Sequence, residues 1–298
     1  MALGQGLVLR KKAHAMKAEK RKIDLLVLSD IHLGTYGCHA EELLAYLKSI
    51  DPARIVLNGD IIDMWQFSKR YWPQSHMQVV RKLMGFAAKG IPVHYLTGNH
   101  DETMRKFAGM QLGNLMVDNK LVLDLPGAGR AWLFHGDVFD VTMQHARWLA
   151  KLGGWSYDLL ILLNRGVNHL STKMGRGKIS LSAKIKNSVK SAVKFINNFE
   201  RTAAELAIHQ GYDFVVCGHI HQPEIREITL QHGSVTYLNS GDWIENLTAL
   251  EFHAGQWRLF RYHQDMPADF QEDDEQLPST ARIFEEMAAS FALTGMPA

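Results

Sequence analysis

Five short apolar runs in this sequence each end in residues that can bind a metal ion or move a proton. Ile23–Ser29 is followed by Asp30-Ile31-His32, and Arg54–Leu57 by Asn58-Gly59-Asp60. Ile91–Thr97 leads into Gly98-Asn99-His100-Asp101, and Ala131–Phe134 into His135-Gly136-Asp137. Phe214–Cys217 leads into Gly218-His219-Ile220-His221. Imidazole and carboxylate suit borderline divalent ions such as manganese, iron or zinc. Neither Cys38 nor Cys217 stands in a CxxC or zinc-type spacing, which argues against a structural zinc site and a disulfide framework. A lone histidine at a strand end is more often structural than a ligand, but five such pieces in succession are hard to reach by chance. The spacing of two in Asp30-x-His32 and His219-x-His221 predicts both side chains on one side of an extended backbone. The glycines are expected to let the backbone turn sharply and approach an ion or a phosphate closely.

The elements that must position these residues alternate at first. Residues 39–50 carry Leu43, Leu44 and Leu47 at helical spacing, and residues 75–89 form the next expected helix. Strands alternating with helices imply an α/β fold with a partly parallel sheet, whose ligands lie beyond the carboxyl ends of the strands. The rhythm then changes. Leu121–Leu125 and Ala131–Phe134 are short strands joined by a Pro-Gly-Ala-Gly turn at 126–129, and residues 140–210 read as mainly helical. Further strands are expected at Phe214–Cys217, Glu224–Leu230, Val235–Leu238, Leu247–Phe252 and Trp257–Tyr262, with hairpin turns at 231–234 and 253–256. A polar tail follows, weakly helical at 280–292. The pattern is two packed sheets with helices outside, plus a helical insertion.

With 298 residues and 46% hydrophobic content, the chain can bury a full core in one large domain. Its net charge of +2 hides an uneven spread. Residues 1–22 form a basic extension, and the stretch 141–210 holds eleven Lys/Arg against three Asp/Glu. Such a block suits an anionic partner. The main domain is read as 23–265, with the insertion at about 140–200, and 266–298 as an acidic C-terminal tail. No apolar run approaches the roughly 18–20 residues of a membrane-spanning helix. The N-terminus does not read as a signal peptide, and the cysteine usage fits a reducing cytosol. The expected location is cytoplasmic, soluble or bound at a membrane surface.

Taken together, Asp-x-His, Gly-Asp, Gly-Asn-His-Asp, His-Gly-Asp and Gly-His-x-His resemble the signature of the calcineurin-like metallophosphoesterases, from Asp30 to His221. The resemblance implies a four-layer α/β/β/α sandwich. It implies that Asp30, His32, Asp60 and His221 hold one divalent ion, and that Asp60, Asn99, His135 and His219 hold a second, with Asp60 bridging. Mn(2+) is the first expectation for both, with iron and zinc as alternatives. Two ions about 3.5–4 Å apart supply a nucleophile from water at neutral pH and neutralise charge on the attacked phosphoryl oxygens. His100, next to Asn99, is expected to touch a phosphate oxygen or protonate the leaving group, oriented by Asp63 as a dyad.

Finer features narrow the resemblance. Trp65 stands five residues after Asp60, Leu238-Asn239-Ser240-Gly241-Asp242-Trp243 follows the last metal motif, and a long insertion separates His135 from His219. These look like the UDP-2,3-diacylglucosamine pyrophosphatases, which cleave a lipid-linked sugar nucleotide in lipid A biosynthesis to UMP and a lipid sugar phosphate, under a helical lid. The insertion suits such a substrate. Trp148, Leu149, Leu152, Trp155, Leu159, Leu160 and Leu163 form an apolar face. Lys173, Arg176, Lys178, Lys184, Lys186, Lys190 and Lys194 lie beyond it, as an amphiphile with phosphates or the inner face of the cytoplasmic membrane would require. Substrate contacts are expected from Asn99, His100 and His219, and from Asn187 and Lys190, an Asn-x-x-Lys pair resembling one in the subfamily. The chain departs from that subfamily at His100, where the well-studied branch has arginine. A general nucleotide or cyclic-nucleotide phosphodiesterase is the alternative. A DNA nuclease ranks lower because the insertion is apolar as well as basic.

Overall fold

The computed structural model describes residues 20–65, 71–139, 196 and 198–267. The chain opens with β1 (Arg21–Ile23), β2 (Leu25–Leu28), α1 (Ala40–Ser49), β3 (Ile50–Pro52), β4 (Ile55–Asn58), α2 (Gln74–Ala88) and β5 (Val93–Leu96). After a 3-10 turn at Glu102–Phe107 come β6 (Met110–Leu112), β7 (Leu115–Asp118), β8 (Lys120–Leu125) and β9 (Gly129–Phe134). Residues 198–209 are helical (α3). Then follow β10 (Phe214–Cys217), β11 (Glu224–Leu230), β12 (Gly233–Asn239), β13 (Thr248–His253), β14 (Gln256–Arg261) and the single turn α4 (Tyr262–Asp265).

Two sheets form the centre, one of seven strands in the order β14-β13-β2-β4-β5-β7-β6 and one of five in the order β11-β12-β10-β9-β8. In the first, β2, β4, β5 and β7 run parallel, and in the second, β9, β10 and β12 do. Successive residues of a strand point to opposite faces, and the sequence uses both faces. Leu26, Leu28, Ile55 and Leu57 pack with Leu43, Leu47, Val79 and Phe86 of α1 and α2. Their neighbours Leu25, Val27 and Val56 turn the other way and meet Ala131, Leu133, Val216 and Leu238 of the second sheet. On its far side, Val215, Cys217 and Tyr237 pack on Phe199, Ala203 and Ala207 of α3. The result is the four-layer α/β/β/α sandwich expected from the sequence. No helix among the described residues is long and apolar enough to cross a membrane.

The expected strands 214–217 and 224–230 are found unchanged, and most others shift by a residue or two. The β6–β7 hairpin and the short strands β1 and β3 were not expected, because three or four residues of mixed polarity are too few to show a period. Arg21, assigned from sequence to the basic extension, belongs to the fold. It donates twice to the buried Glu251, at 2.9 and 2.8 Å, and Tyr46 donates to the same carboxylate at 2.8 Å. The apolar and basic faces expected at 148–194, with Asn187 and Lys190, and the expected tail from 268 lie outside the described residues.

Candidate metal centre

The parallel strands point their carboxyl ends the same way, and the two sheets are sewn together there. Asn58, the last residue of β4, donates its side-chain amide to Phe134 O of β9 at 3.1 Å. Gly218 N–H donates to His135 O at 2.9 Å, and Trp243 N–H to Asp30 O at 3.1 Å. Asp30, His32, Asp60, Asn99, His100, His135, His219 and His221 all lie in the loops that leave these strand ends.

The backbone reaches this arrangement by an unexpected route. Seven described residues other than glycine have positive φ, and five of them are Asp30, His32, Asp60, His219 and His221. The left-handed region is costly for residues with a side chain, and such strain gathers at functional sites. The extended geometry expected for Asp30-x-His32 and His219-x-His221 is therefore wrong: each pair sits on a left-handed turn. The pairs also divide differently. Asp30, His32 and His221 offer donor atoms within 4.8 Å of one another, whereas His219 joins Asp60 and His135. That division is the one implied for two ions sharing Asp60. A third group combines His32, Asp60 and His100.

Two motif glycines have a different purpose from the one expected. A Cβ on Gly98 would stand 2.2 Å from Asp60 Oδ1, and one on Gly218 would stand 2.6 Å from Asp30 Oδ2. Neither has positive φ, so each leaves room for a carboxylate from a neighbouring loop. The backbone N–H groups complete the grip, His100 donating to Asp60 Oδ1 at 2.8 Å and His219 to Asp30 Oδ2 at 3.0 Å.

Hydrogen bonds on the far side of the rings aim the remaining donor atoms inward. His135 Nδ1–H donates to Asn58 O at 2.9 Å, which leaves the Nε2 lone pair free to bind, 3.2 Å from Asp60 Oδ2. His32 Nδ1 meets Asp63 Oδ2 at 3.3 Å and frees its Nε2 in the same way. Asp30 Oδ1, His32 Nε2, Asn99 Oδ1 and His135 Nε2 are all buried without a hydrogen-bond partner. Buried polar atoms are rarely left so. Four of them, converging from the three chain segments that follow β2, β5 and β9, fit a divalent cation.

The electrostatics agree. Burial pushes the Asp30 and Asp60 carboxyls up, but the surrounding imidazoles outweigh it and hold both well below the usual carboxylate range. Burial pulls His221 down, but Asp30 outweighs it and raises the imidazole to about 9. His135 is raised by Asp60 and Asp30 against the same opposing burial. A cation binding among these groups displaces protons as it does so.

A profile of the calcineurin-like phosphoesterase family matches residues 23–223, more than half of the chain. The chain belongs to the calcineurin-like phosphoesterase family. It is a metal-dependent hydrolase of that family. A UDP-2,3-diacylglucosamine hydrolase of Aeromonas salmonicida is 26% identical over 243 residues, covering 78% of this chain and 91% of that protein. Another, of Marinobacter nauticus, is 26% identical over 251 residues, covering 82% and 99%. Among solved structures, a dimetal phosphatase from Danio rerio covers 80% of this chain and 95% of its own, at 11% identity and a TM-score of 0.40.

Sequence reasoning missed how this phosphoesterase braces its loops. Asp101 is fully buried and accepts from Ile61 N–H at 3.0 Å, Gly98 N–H at 2.6 Å and Tyr95 OH at 2.6 Å. It therefore ties the Asp60 loop to the Asn99 loop. The signal was in plain view as the last letter of Gly-Asn-His-Asp. Asp242 is also buried, receives the backbone N–H groups of Ile244 and Glu245 at 2.8 and 2.6 Å, and stands 3.7 Å from His221 Nδ1. Replacing Asp101 by alanine strands three donors in the interior, each costing about 1–3 kcal/mol. The expected loss of stability is at least about 3 kcal/mol, read from urea unfolding of the metal-free protein. A change under about 1 kcal/mol would mean that water replaces the carboxylate.

Proposed function

We propose that this protein hydrolyses the pyrophosphate bond of UDP-2,3-diacylglucosamine or a related lipid-linked nucleotide, giving UMP and a lipid sugar 1-phosphate. The observation that carries hydrolysis is the convergence of the four unpartnered donor atoms of Asp30, His32, Asn99 and His135. The substrate is supported by relatives named UDP-2,3-diacylglucosamine hydrolase and matched over nearly their whole length. Asp30, His32, Asp60 and His221 hold one ion, and Asp60, Asn99, His135 and His219 the other. Manganese is the first ion to test, with iron and zinc as alternatives, since imidazole and carboxylate together suit borderline divalent ions. When bound, two such ions activate water and neutralise phosphoryl charge.

The chain's own residues do the rest. Asp63 Oδ2 stands 3.0 Å from His100 Nδ1, which leaves Nε2 to meet the substrate. Burial pulls His100 down, but the Asp63 and Asp60 carboxylates outweigh it and the imidazole holds its proton more tightly than a free histidine. That suits a group that gives a proton to the departing oxygen. Asn99, His100 and His219 touch the phosphates. Asn187 and Lys190 orient them from the insertion, and the protein works at the inner face of the cytoplasmic membrane.

The test compares acylated with deacylated sugar nucleotides in the presence of Mn(2+). Burying acyl chains is worth about 0.8 kcal/mol per CH₂, so kcat/KM is expected to be far higher for the acylated substrate. Trp155→Ala and Leu159→Ala are expected to lower it for that substrate alone, while Lys190→Glu lowers it for both. Equal loss on both substrates in the apolar variants would put the general nucleotide phosphodiesterase ahead.

A further inference from the structure

Trp65 takes no part in any of the three buried cores, and its side chain is 54% exposed. Its indole nevertheless lies on the His100 ring, with centroids 4.2 Å apart and planes 33° from parallel. The backbone holds it there. Trp65 N–H donates to Asp63 Oδ1 at 3.0 Å, and Met64 N–H donates to His100 O at 3.0 Å. Asp63 thus grips Trp65 through one oxygen and His100 through the other. A second ring contact on His100 comes from His32, which meets it edge-on at 4.6 Å and 88°. An indole placed this way contributes little to the core. It does remove the rotational freedom of the imidazole about the Asp63 contact.

We infer that Trp65 is a positioning residue: its indole fixes the face of His100 so that Nε2 meets the departing oxygen of the substrate. The inference rests on the reading of His100 as proton donor. In that step a water oxygen bonds to phosphorus as the bond from phosphorus to the leaving group breaks. The His100 proton passes to the departing oxygen, the proton that the attacking water sheds passes to solvent, and His100 is reprotonated from solvent. A proton donor that is out of place costs most where the leaving group most needs its proton.

The experiment uses the full-length, Mn(2+)-loaded protein and two esters of uridine 5′-monophosphate, the phenyl and the p-nitrophenyl. Nitrophenolate departs without help, whereas phenolate leaves poorly unless protonated. A misplacement of this kind costs up to about 10²-fold in rate. Trp65→Ala is therefore expected to lower kcat at least about 10-fold more on the phenyl ester than on the nitrophenyl ester, with KM changed less. Both ions should remain bound, and Trp65→Phe, which restores a flat face, should recover most of the loss. His100→Ala is the reference and should show the same dependence, more strongly. Dependence in His100→Ala that is absent from Trp65→Ala overturns the inference alone. Absence from both overturns the proton-donor reading, and the inference with it.

Discussion

Replacing Asp60 by alanine is expected to leave the protein with neither ion and without measurable hydrolysis. Asp60 offers donor atoms to two of the three candidate groups, one with His135 and His219 and one with His32 and His100. Its Oδ1 receives His100 N–H at 2.8 Å and its Oδ2 faces His135 Nε2 at 3.2 Å. A carboxylate between two cations offsets their repulsion. Two unit charges about 4 Å apart repel by about 4 kcal/mol at an effective dielectric constant of about 20, and two divalent ions by about four times as much. Without that carboxylate, the remaining histidines and the Asn99 amide supply one negative charge at most, from Asp30. Asp60→Asn keeps the shape and loses the charge, so it separates the two contributions and should also bind metal weakly. Elemental analysis after dialysis and kcat/KM on a nucleotide diester read the result. Two retained ions with near-wild-type turnover would falsify the bridging role.

The layers and the loop order were legible in the sequence because both depend on local pattern. A strand buried on both faces, such as Leu25–Leu28, reads as an unbroken apolar run. Its polar ending marks the loop where ligands can stand. The signature residues were legible for the same reason: each closes its own strand. What was not legible depends on contacts across the sheets. Nothing local tells that Gly98 exists to admit Asp60 Oδ1, or that Asp101 ties three groups together from Ile61 to Gly98. The left-handed turns at Asp30 and His221 were hidden because aspartate and histidine, which enter that region more readily than most residues, do so only where contacts from other loops require it. Asp63 was legible as a partner of His100 but not of His32, since one oxygen stands 3.0 Å from the first imidazole and 3.3 Å from the second.

That shared oxygen bears on the second large effect. His100→Ala is expected to lower kcat by about 10²–10⁴-fold, the usual contribution of a positioned acid or base, while both ions stay bound. Three observations favour proton transfer over metal binding. Asp63 occupies its Nδ1, as a carboxylate does when it orients a catalytic imidazole. Asp63 and Asp60 raise the imidazole against the effect of burial, the direction that suits a proton donor. The adjacent Asn99 Oδ1 is buried without a hydrogen-bond partner, so the loop already offers an oxygen donor beside His100. Against them stands one fact: a His100 nitrogen lies within 4.8 Å of donor atoms of His32 and Asp60. The two roles differ in what they leave behind. If His100 is the proton donor, the variant retains two ions per chain by elemental analysis and still cleaves the p-nitrophenyl ester of uridine 5′-monophosphate at a useful rate. If His100 is a ligand, the variant loses an ion, both esters suffer alike, and added Mn(2+) restores part of the rate. A lost ion would move His100 into the metal centre, leave Asp63 as the brace of two ligands, and require another group to protonate the leaving oxygen.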